Sequence, residues 1–473
     1  MQSRIQELEE ENRQLKNIIE VLTRKIEELE RRLNMNSSNS SKPPSSDGLK
    51  SKKRSRPSSK KKIGGQKGHP GSSRKMLPTE KVDKLVKIPL VKPVCACGCK
   101  KFISKKFSKR HQVWELPKVK PHITEYLLES ARCKTCRKRV SADLPKGVSK
   151  TTLGPNAQTW MGLLTGVYRL SRSNAQKFLE EVCGIRRSVS NISATEKSIS
   201  KNIRPIQKQA LESVRQSEVL HMDETGHKRS GTRRQTWVMA NEDWSFFSSG
   251  SRRNRKVLVS LLGKNFSGIV VSDRYASYNY LPSHQHQYCW AHLYRQMRGL
   301  SERKGDLGLV AKDIFRWMGC IFDLNRHREK VSEQYYSTFI DAYRNGIKKL
   351  LGENFLTHPE LKGFAHLFWL NEEKVWGFEK NSAVPMTNNR AERDLRPAVI
   401  WRKTSFGTNS YRGDRYAERM LTLSSSLRKQ GKSLFEVLNN LIASGLAGVK
   451  HQLLPDLSVF LKEKIFYRYK SMR

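Results

Sequence analysis

A short apolar run that leads into two carboxylates constrains the fold of this chain most strongly. The stretch 219–226, VLHMDETG, places three apolar side chains before Asp223 and Glu224 and closes with Thr-Gly. This pattern predicts a short buried strand that ends in a turn, with the two acids at the C-terminal end of the strand. A buried carboxylate is costly unless it is paired, hydrogen-bonded or bound to a metal. Because the formal net charge is +46, we interpret Asp223 as a metal ligand; an ion pair between one of the two acids and a nearby arginine is the alternative.

A second apolar strand that ends in an acid follows in the stretch 268–273, GIVVSD. Between the two strands, residues 235–240 and 244–247 alternate in polarity, which predicts a hairpin beside the first strand. Residues 256–262 suit a short helix. Asp273 is either a surface turn residue or a second ligand beside Asp223, and the repeated strand-end aspartate favours a shared metal site.

The stretch 387–397, TNNRAERDLRP, predicts a helix that is capped by Thr387 or Asn388 and ended by Pro397. Side chains spaced by four residues share one face of such a helix. A solvated charged helix is the ordinary interpretation, but here the helix would complete the acidic site. The residues assigned to that site are Glu392 as the third acid, Asn388 and Asn389 as supporting amides, and Arg393 and Arg396 as DNA contacts.

Three carboxylates of this kind can hold two divalent ions, an arrangement that serves phosphodiester displacement. Hard carboxylate oxygens select Mg²⁺ or Mn²⁺ over zinc. We therefore predict a catalytic site for two such ions at Asp223, Asp273 and Glu392. The stretch 289–292, CWAH, has zinc-ligand spacing but no visible partner pair, so Cys289 and His292 are assigned supporting, positioning roles.

The charge balance indicates a polyanionic partner. Lys and Arg number 90 against 44 acids, and each phosphate that a cation neutralises releases counterions. A membrane surface is the competing partner, but we find no bulky basic amphipathic helix and no bilayer-spanning apolar run. The N-terminus has no signal core, so we expect a cytoplasmic, nucleoid-associated protein. The residues expected to contact DNA in the basic N-terminal stretch are Lys52, Lys53, Arg54, Lys60, Lys61, Lys62 and Lys67.

Residues 4–33 carry an unbroken heptad repeat, with isoleucine prevailing at a and leucine at d. This choice favours a parallel two-stranded coiled coil, and the lone Asn12 at an a position fixes its register. The alternative is an amphipathic helix that packs on its own chain. We predict a homodimer or higher oligomer through residues 1–35, followed by a basic linker at 36–80.

Five cysteines are grouped within residues 81–148. The stretches 112–116 and 123–128 read as two strands of a hairpin that would bring the cysteine turns together. Two such turns are the usual frame of a structural four-thiolate zinc site, and a reduced, metal-free cluster is the alternative. The candidate zinc ligands are four of the five residues Cys95, Cys97, Cys99, Cys133 and Cys136.

Residues 149–216 read as helices. A helix at 173–182, a glycine at 184 and a second helix from Ser188 or Ser190 to about Ser200 resemble a helix-turn-helix. Arg186 and Arg187 beside its turn are candidate DNA contacts. The same spacing is common in ordinary helical domains.

Together these motifs resemble those of the DDE transposases of the insertion-sequence sixty-six family. The segments that carry the resemblance are 36–47 (NSSNSSKPPSSD), 64–69 (GGQKGH), the cysteine pairs, 221–226 (HMDETG), 272–275 (SDRY), 289–292 (CWAH) and 388–393 (NNRAER). The first cysteine turn departs from the family, whose pattern is closer to C-x-x-C, and this leaves the choice of zinc ligands open.

The resemblance implies an α/β fold with an RNase H-like mixed-sheet core at 217–300 and 381–430. A helical insertion at 301–380 interrupts this core, and a helical tail at 431–473 follows it. It also implies that Asp223, Asp273 and Glu392 are the catalytic triad and that the protein cleaves and transfers DNA at terminal inverted repeats, with accessory proteins as further partners. A non-catalytic DNA-binding regulator derived from a transposase is the alternative.

Overall fold

The computed structural model describes residues 2–40, 47, 76–89, 91, 94–101, 107, 110–149, 152–250 and 252–448. The predicted DNA contacts Lys52, Lys53, Arg54, Lys60, Lys61, Lys62 and Lys67 lie outside these ranges, as do residues 449–473 of the predicted tail. One compact unit comprises Met1–Lys50 and Pro121–Arg473, and a second comprises Ser51–Lys120. No helix within the described ranges is long and apolar enough to cross a membrane.

The N-terminal helix α1 spans Gln2–Asn34, as the heptad repeat predicts. The apolar a and d side chains are exposed along its whole length: Ile5, Leu8, Leu15, Ile19, Leu22, Ile26, Leu29 and Leu33. The predicted linker begins after this helix, but Asn36–Ser40 form a hydrogen-bonded turn. Asn39 Nδ2 donates from that turn to Glu302 at 2.8 Å, which ties the end of α1 to a distant segment of the same unit.

The predicted hairpin at 112–116 and 123–128 is wrong. Neither stretch is a strand, and the apolar side chains of Val113, Leu116 and Leu127 are exposed. The pattern alternates, but a strand needs a partner and a covered face, and these side chains have no cover. The strands in the described part of this region are β1 (Ser130–Arg132) and β2 (Arg139–Ser141), which pair around the second cysteine turn.

Three helices precede the main sheet: α2 (Pro155–Gly166), α3 (Arg172–Glu181) and α4 (Val189–Arg215). Ser188 caps α4 as predicted, by accepting the amide of Asn191 at 3.3 Å. The prediction that this helix ends near Ser200 is wrong. Its C-terminal half continues because Ile203, Ala210 and Val214 are buried in the core beneath the sheet, and this packing outweighs the helix-breaking effect of Pro205.

The main sheet is mixed and has five strands in the order β5-β4-β3-β6-β7. The strands are β3 (Val219–Arg229), β4 (Thr232–Ala240), β5 (Ser245–Gly250), β6 (Ile269–Ser272) and β7 (His286–Tyr288), and helix α5 (Arg255–Leu262) connects β5 to β6. Strands β3, β4 and β5 are antiparallel, whereas β6 and β7 run parallel to β3. The hairpin and α5 confirm the sequence predictions.

Strand β3 is longer than predicted and does not end after its acids. It continues to Arg229 because a two-residue turn at Ser230 and Gly231, both with positive φ, returns the chain into β4. Its pairing with β6, by contrast, stops at His221. The carboxylates therefore lie where β3 parts from β6.

A second helical group follows β7: α6 (Trp290–Ser301), α7 (Gly305–Arg326), α8 (Glu333–Asn354), α9 (Lys362–Leu370) and α10 (Glu372–Lys380). These helices surround a core of their own. Trp290, at the start of α6, packs edge-on against Trp376 and Phe378 within it. Helix α6 thus links the sheet edge to this aromatic core.

The chain returns to the sheet with α11 (Asn389–Ser405), α12 (Tyr411–Lys429) and α13 (Leu434–Ala447). The prediction that Pro397 ends the first of these is wrong, since the helix runs eight residues further. Leu395 and Ala398 are buried against Val238 of the sheet, and the carbonyl that loses its hydrogen bond belongs to exposed Arg393. The helix therefore tolerates the proline, because its apolar side packs on the sheet and the carbonyl without a helical hydrogen bond belongs to its solvent-exposed side.

Candidate active site

Asp223 and Asp273 lie side by side on neighbouring parallel strands. The register of β3 with β6 ends at the pair His221 and Val271, two residues before each aspartate, and the charge of Asp273 reaches Asp223 and raises its pKa. Asp273 directly follows β6, and its Oδ1 accepts the amide of Tyr275 at 3.0 Å. The structure therefore brings together the two strand acids that the sequence singled out.

Glu224 is a further acid at this sheet edge, and its side chain is only 3% exposed. It forms an ion pair with Arg253, whose Nη2 also lies 3.6 Å from Asp273 Oδ2. The guanidinium of Arg253 stacks 3.5 Å from the ring centroid of Tyr275. Sequence reasoning missed Arg253; the available signal was the run RRNR at 252–255, directly before α5. For Glu224, the alternative prediction of an ion pair with a nearby arginine is confirmed.

The carboxylates at this edge share one unfavourable environment. Burial raises the pKa of Asp223 well above its ordinary value, and the charges of Glu224 and Asp273 raise it further. Burial also raises the pKa of Glu224 to about 7 and raises the pKa of Asp273. The charges of Arg253 and Arg274 lower the pKa of Asp273 but do not cancel the effect of burial, so the three clustered carboxylates attract additional positive charge.

Glu392 lies in the first turn of α11 and faces the start of α6. Its Oε1 is 3.7 Å from His292 Nδ1 and 3.6 Å from Arg295 Nη2. Burial lowers the pKa of His292 to about 3, so this imidazole is neutral beside the carboxylate. One ligand atom each from Cys289, His292 and Glu392 lie within 4.8 Å of one another. The C-x-x-H segment and the third acid thus meet, although they are a hundred residues apart in sequence.

The three predicted acids belong to one electrostatic cluster. The charge of Glu392 is among the causes that raise the pKa of Asp223. Among the described residues, however, the tight group of ligand atoms around Glu392 contains Cys289 and His292 and neither aspartate. The two aspartates therefore form one part of the cluster, and Glu392 forms an adjoining part.

Asn388 joins these two parts. It is buried at the N-cap position of α11, yet its side chain does not cap the helix as predicted. Its Nδ2 donates to the Met222 carbonyl at 2.7 Å, and its Oδ1 lies 3.0 Å from His221 Nδ1. Its backbone amide bonds Cys289 Sγ at 3.1 Å. One asparagine therefore holds the start of α11 against the strand of Asp223 and against α6.

An open cavity of about 680 Å³ adjoins Asp273. Its lining includes the cationic side chains of Arg253, Arg274 and Lys374 together with His292. Burial lowers the pKa of Lys374 and of Arg274. Such a concentration of cations next to acids suits an anionic group that approaches the carboxylates.

A sequence model of the transposase IS66 family matches residues 166–416, just over half of the 473 residues. The chain belongs to this transposase family. Membership confirms the resemblance and implies a DNA-cleaving enzyme of the DDE type that uses divalent metal and binds DNA. A second model, of a family of unknown function (DUF6444), matches residues 1–75. A comparison with curated proteins found no match.

The remaining predicted residues of this transposase lie apart from the acids or on its surface. Arg186 is exposed in the turn between α3 and α4 and pairs with Glu180 at 2.8 Å. Arg187 follows it in the same turn. Asn389 begins α11, and Arg393 and Arg396 are exposed along that helix. The DNA contacts of the four arginines and the supporting role of Asn389 stay predictions.

Both cysteine turns of the transposase have geometry that favours thiolate. Backbone amides of the turns lower the pKa of Cys95, through Cys97, and that of Cys133, through Cys136. All five cysteines of the two turns are exposed and form no disulfide. Amides that point at sulfur suit metal-binding knuckles, and zinc binding by four of these thiols stays a prediction.

Proposed function

We propose that this chain binds the terminal inverted repeats of its insertion sequence and catalyses DNA cleavage followed by strand transfer. The observation that carries the proposal is that Asp223 on β3, Asp273 directly after β6 and Glu392 on α11 adjoin one another electrostatically, beside a cationic cavity. The mixed five-stranded sheet with helices on both faces supports an RNase H-like core. In this proposal, Asp223, Asp273 and Glu392 are the catalytic residues.

The residues present fit divalent metal. The aspartates offer hard oxygen ligands, and Glu392 Oε1 is buried without a hydrogen-bond partner. Cys289 is a poor competitor, because burial raises the pKa of its thiol to about 11 and its sulfur accepts the amide of Asn388. Bound Mg²⁺ or Mn²⁺ would supply charge stabilisation and activation of the attacking hydroxyl.

The protein's own cations would orient the scissile phosphate. Arg253 is fixed by the buried Glu224 and by stacking on Tyr275, so its guanidinium cannot leave the acids freely. Arg295 lies beside Glu392 on the other side of the cluster. A phosphodiester seated between them would be held by two guanidinium groups at the carboxylate edge.

A donor-cleavage assay tests the proposal. The full chain is incubated with a labelled duplex that contains the element end, with Mg²⁺ or with EDTA, and the products are resolved on a denaturing gel. We expect cleavage with Mg²⁺ and none with EDTA, and joined products when target DNA is added. Retained end binding without cleavage under all metal conditions would favour the regulator.

We propose that α1 forms a parallel homodimer. Substituting Leu15→Glu together with Leu22→Glu buries four charges in the seam of the pair, so we expect the mass measured by light scattering to fall from a dimer to 54.6 kDa. Val21→Glu is the matched control, since Val21 is exposed but lies off the a and d positions. A wild-type chain that is already monomeric at assay concentration would contradict the proposal.

We propose that the cysteine turns bind one structural zinc ion per chain. The double substitution Cys133→Ser and Cys136→Ser removes two thiolate ligands, so we expect the zinc content measured by atomic absorption to fall from about one per chain to near zero. Cys320→Ser is the control, because Cys320 is an exposed thiol on α7 and belongs to neither turn. An unchanged zinc content would exclude the second turn as a ligand source.

A further inference from the structure

One aromatic residue is both exposed and backbone-strained. Phe406, which follows α11, has φ +57° and an exposed fraction of 83%. Left-handed φ is unfavourable for a bulky side chain, and glycine is the usual residue at this position after a helix. Burial of the ring does not explain why this position holds phenylalanine and not glycine, because the ring is exposed to solvent. Residues that keep such strain are concentrated at functional sites.

The segment that presents Phe406 is rigidly attached to the β3–β4 turn. Thr408 donates its amide to the Lys228 carbonyl at 2.9 Å and accepts the amide of Ser230 at 2.8 Å. A side chain at Gly407, where φ is +114°, would collide with that Lys228 carbonyl. Buried Asp414 accepts from the Thr408 hydroxyl below the segment. The ring is therefore held in a fixed place by backbone contacts that do not involve the ring itself.

The surroundings of Phe406 are cationic. Residues 226–234 contain four Lys or Arg residues, residues 395–413 contain four more, and neither segment contains an acid. Lys228 and Arg233 of the β3–β4 turn are exposed. A second exposed aromatic, Tyr411 at 64%, lies beneath the guanidinium of Arg415 at 4.9 Å. Exposed rings among cations are the arrangement that binds single-stranded nucleic acid, in which bases stack and phosphates pair with cations.

Helix α11 connects this surface to the acidic cluster. Glu392 lies in its first turn and Phe406 follows its last residue, a separation of about 21 Å at 1.5 Å per residue. Arg393 and Arg396 are exposed between them. At the duplex rise of about 3.4 Å per nucleotide this distance corresponds to roughly six nucleotides, and a more extended single strand would cover it with fewer.

We propose that Phe406 is a stacking platform for an unpaired base of the DNA strand, at most about six nucleotides from the scissile phosphate. The proposal rests on the proposed function and adds a ligand class to it, namely DNA that is single-stranded near the cleavage point. The acids nearby, Asp414 and Glu418, are buried beneath this surface, so its exposed charge is positive. An excess of exposed cations favours nucleic acid over an apolar protein partner, to which that charge offers no advantage.

The test compares single-stranded and duplex DNA binding by the full chain in EDTA. Fluorescence anisotropy is measured with a labelled twelve-nucleotide thymidine oligomer and with a blunt duplex of the same length, for the wild type and for Phe406→Gly. We expect the substitution to weaken binding of the oligomer about tenfold and to leave duplex binding unchanged. We also expect its melting temperature to rise by about 2 °C, since glycine relieves the strained φ.

Two further variants separate stacking from bulk. Phe406→Trp keeps an aromatic face and should retain wild-type affinity for the oligomer, whereas Phe406→Leu should lose affinity as the glycine variant does. Equal affinity of wild type, glycine and leucine variants for the oligomer would overturn the proposal. It would also be overturned if Phe406→Gly altered self-association measured by light scattering in place of DNA binding, because the ring would then contact a second chain.

The outcomes distinguish this proposal from the proposed function. Selective loss of oligomer binding by Phe406→Gly, in a chain whose wild type does not cleave DNA, would support the platform and count against the nuclease. Cleavage by the wild type with unchanged oligomer binding by Phe406→Gly would support the nuclease and overturn the platform.

Discussion

We expect the replacement of Asp273 by Asn to abolish DNA cleavage and at the same time to make the metal-free protein more stable. The carboxylate is an expected metal ligand, and its amide isostere is a poor one, so we expect cleavage to fall by at least about 10³-fold. The stability effect has the opposite sign. Burial raises the pKa of Asp273, and its charge raises the pKa of Asp223. A carboxyl with a raised pKa lowers the free energy of unfolding as the pH rises through that value. At neutral pH the uncharged amide therefore removes the destabilisation that the buried charge causes.

Three measurements check this expectation: gel-resolved cleavage with Mg²⁺, end binding, and melting temperature in EDTA and in Mg²⁺. The wild type should melt at a higher temperature when Mg²⁺ is added, and Asp273→Asn should lose most of that increase. Asp313→Asn, a change at an exposed acid on α7, should alter neither the cleavage rate nor the melting temperature. A variant that still cleaves in Mg²⁺ would remove Asp273 from the triad, and a lower melting temperature in EDTA would contradict the account of its electrostatics.

The sequence located the strand acids correctly because the physical signal is local. An apolar run of strand length that ends in aspartate predicts a buried strand with an acid at its end, and two such runs in a parallel pair end at the same sheet edge. The length of β3 was not predictable in this way. Its second half, from Gly226 to Arg229, is polar and reads as a loop, and it becomes a strand only because the Ser230-Gly231 turn brings β4 beside it.

Contacts between distant segments explain the other differences. Pro397 is a strong local signal for a helix end, but burial of Leu395 and Ala398 against the sheet overrides it. The side chain of Asn388 has a common local role as a cap, and its actual partners lie 166 and 167 residues away, at Met222 and His221. The sequence assigned Asn388 a supporting role, but periodicity and capping rules contain no information on such pairs, so its partners had to come from the structure.

Asn388→Ala should slow cleavage about 10- to 100-fold without removing any acid, because it detaches α11 from the strand of Asp223. Outer residues that orient metal ligands typically have effects of this size. His221 has its pKa lowered to about 4 by burial, so its ring is neutral and its Nδ1 donates to the asparagine oxygen. Truncation leaves this donor and the Met222 carbonyl without partners in a buried place, which costs about 1–3 kcal/mol of folding stability.

A matched variant separates the effect of Asn388→Ala on the position of Glu392 from its effect on folding stability. Asn325 accepts the Tyr336 hydroxyl at 2.9 Å within the core of the helical group, so Asn325→Ala should lower the melting temperature without reducing the cleavage rate at a temperature where both variants are folded. If Asn388 acts by positioning, its variant should cleave slowly at saturating DNA with unchanged end binding, and a higher Mg²⁺ concentration should recover part of the rate. Equal cleavage rates for the two variants would show that the buried amide of Asn388 only stabilises the fold. Asn388 would then not be the residue that positions Glu392.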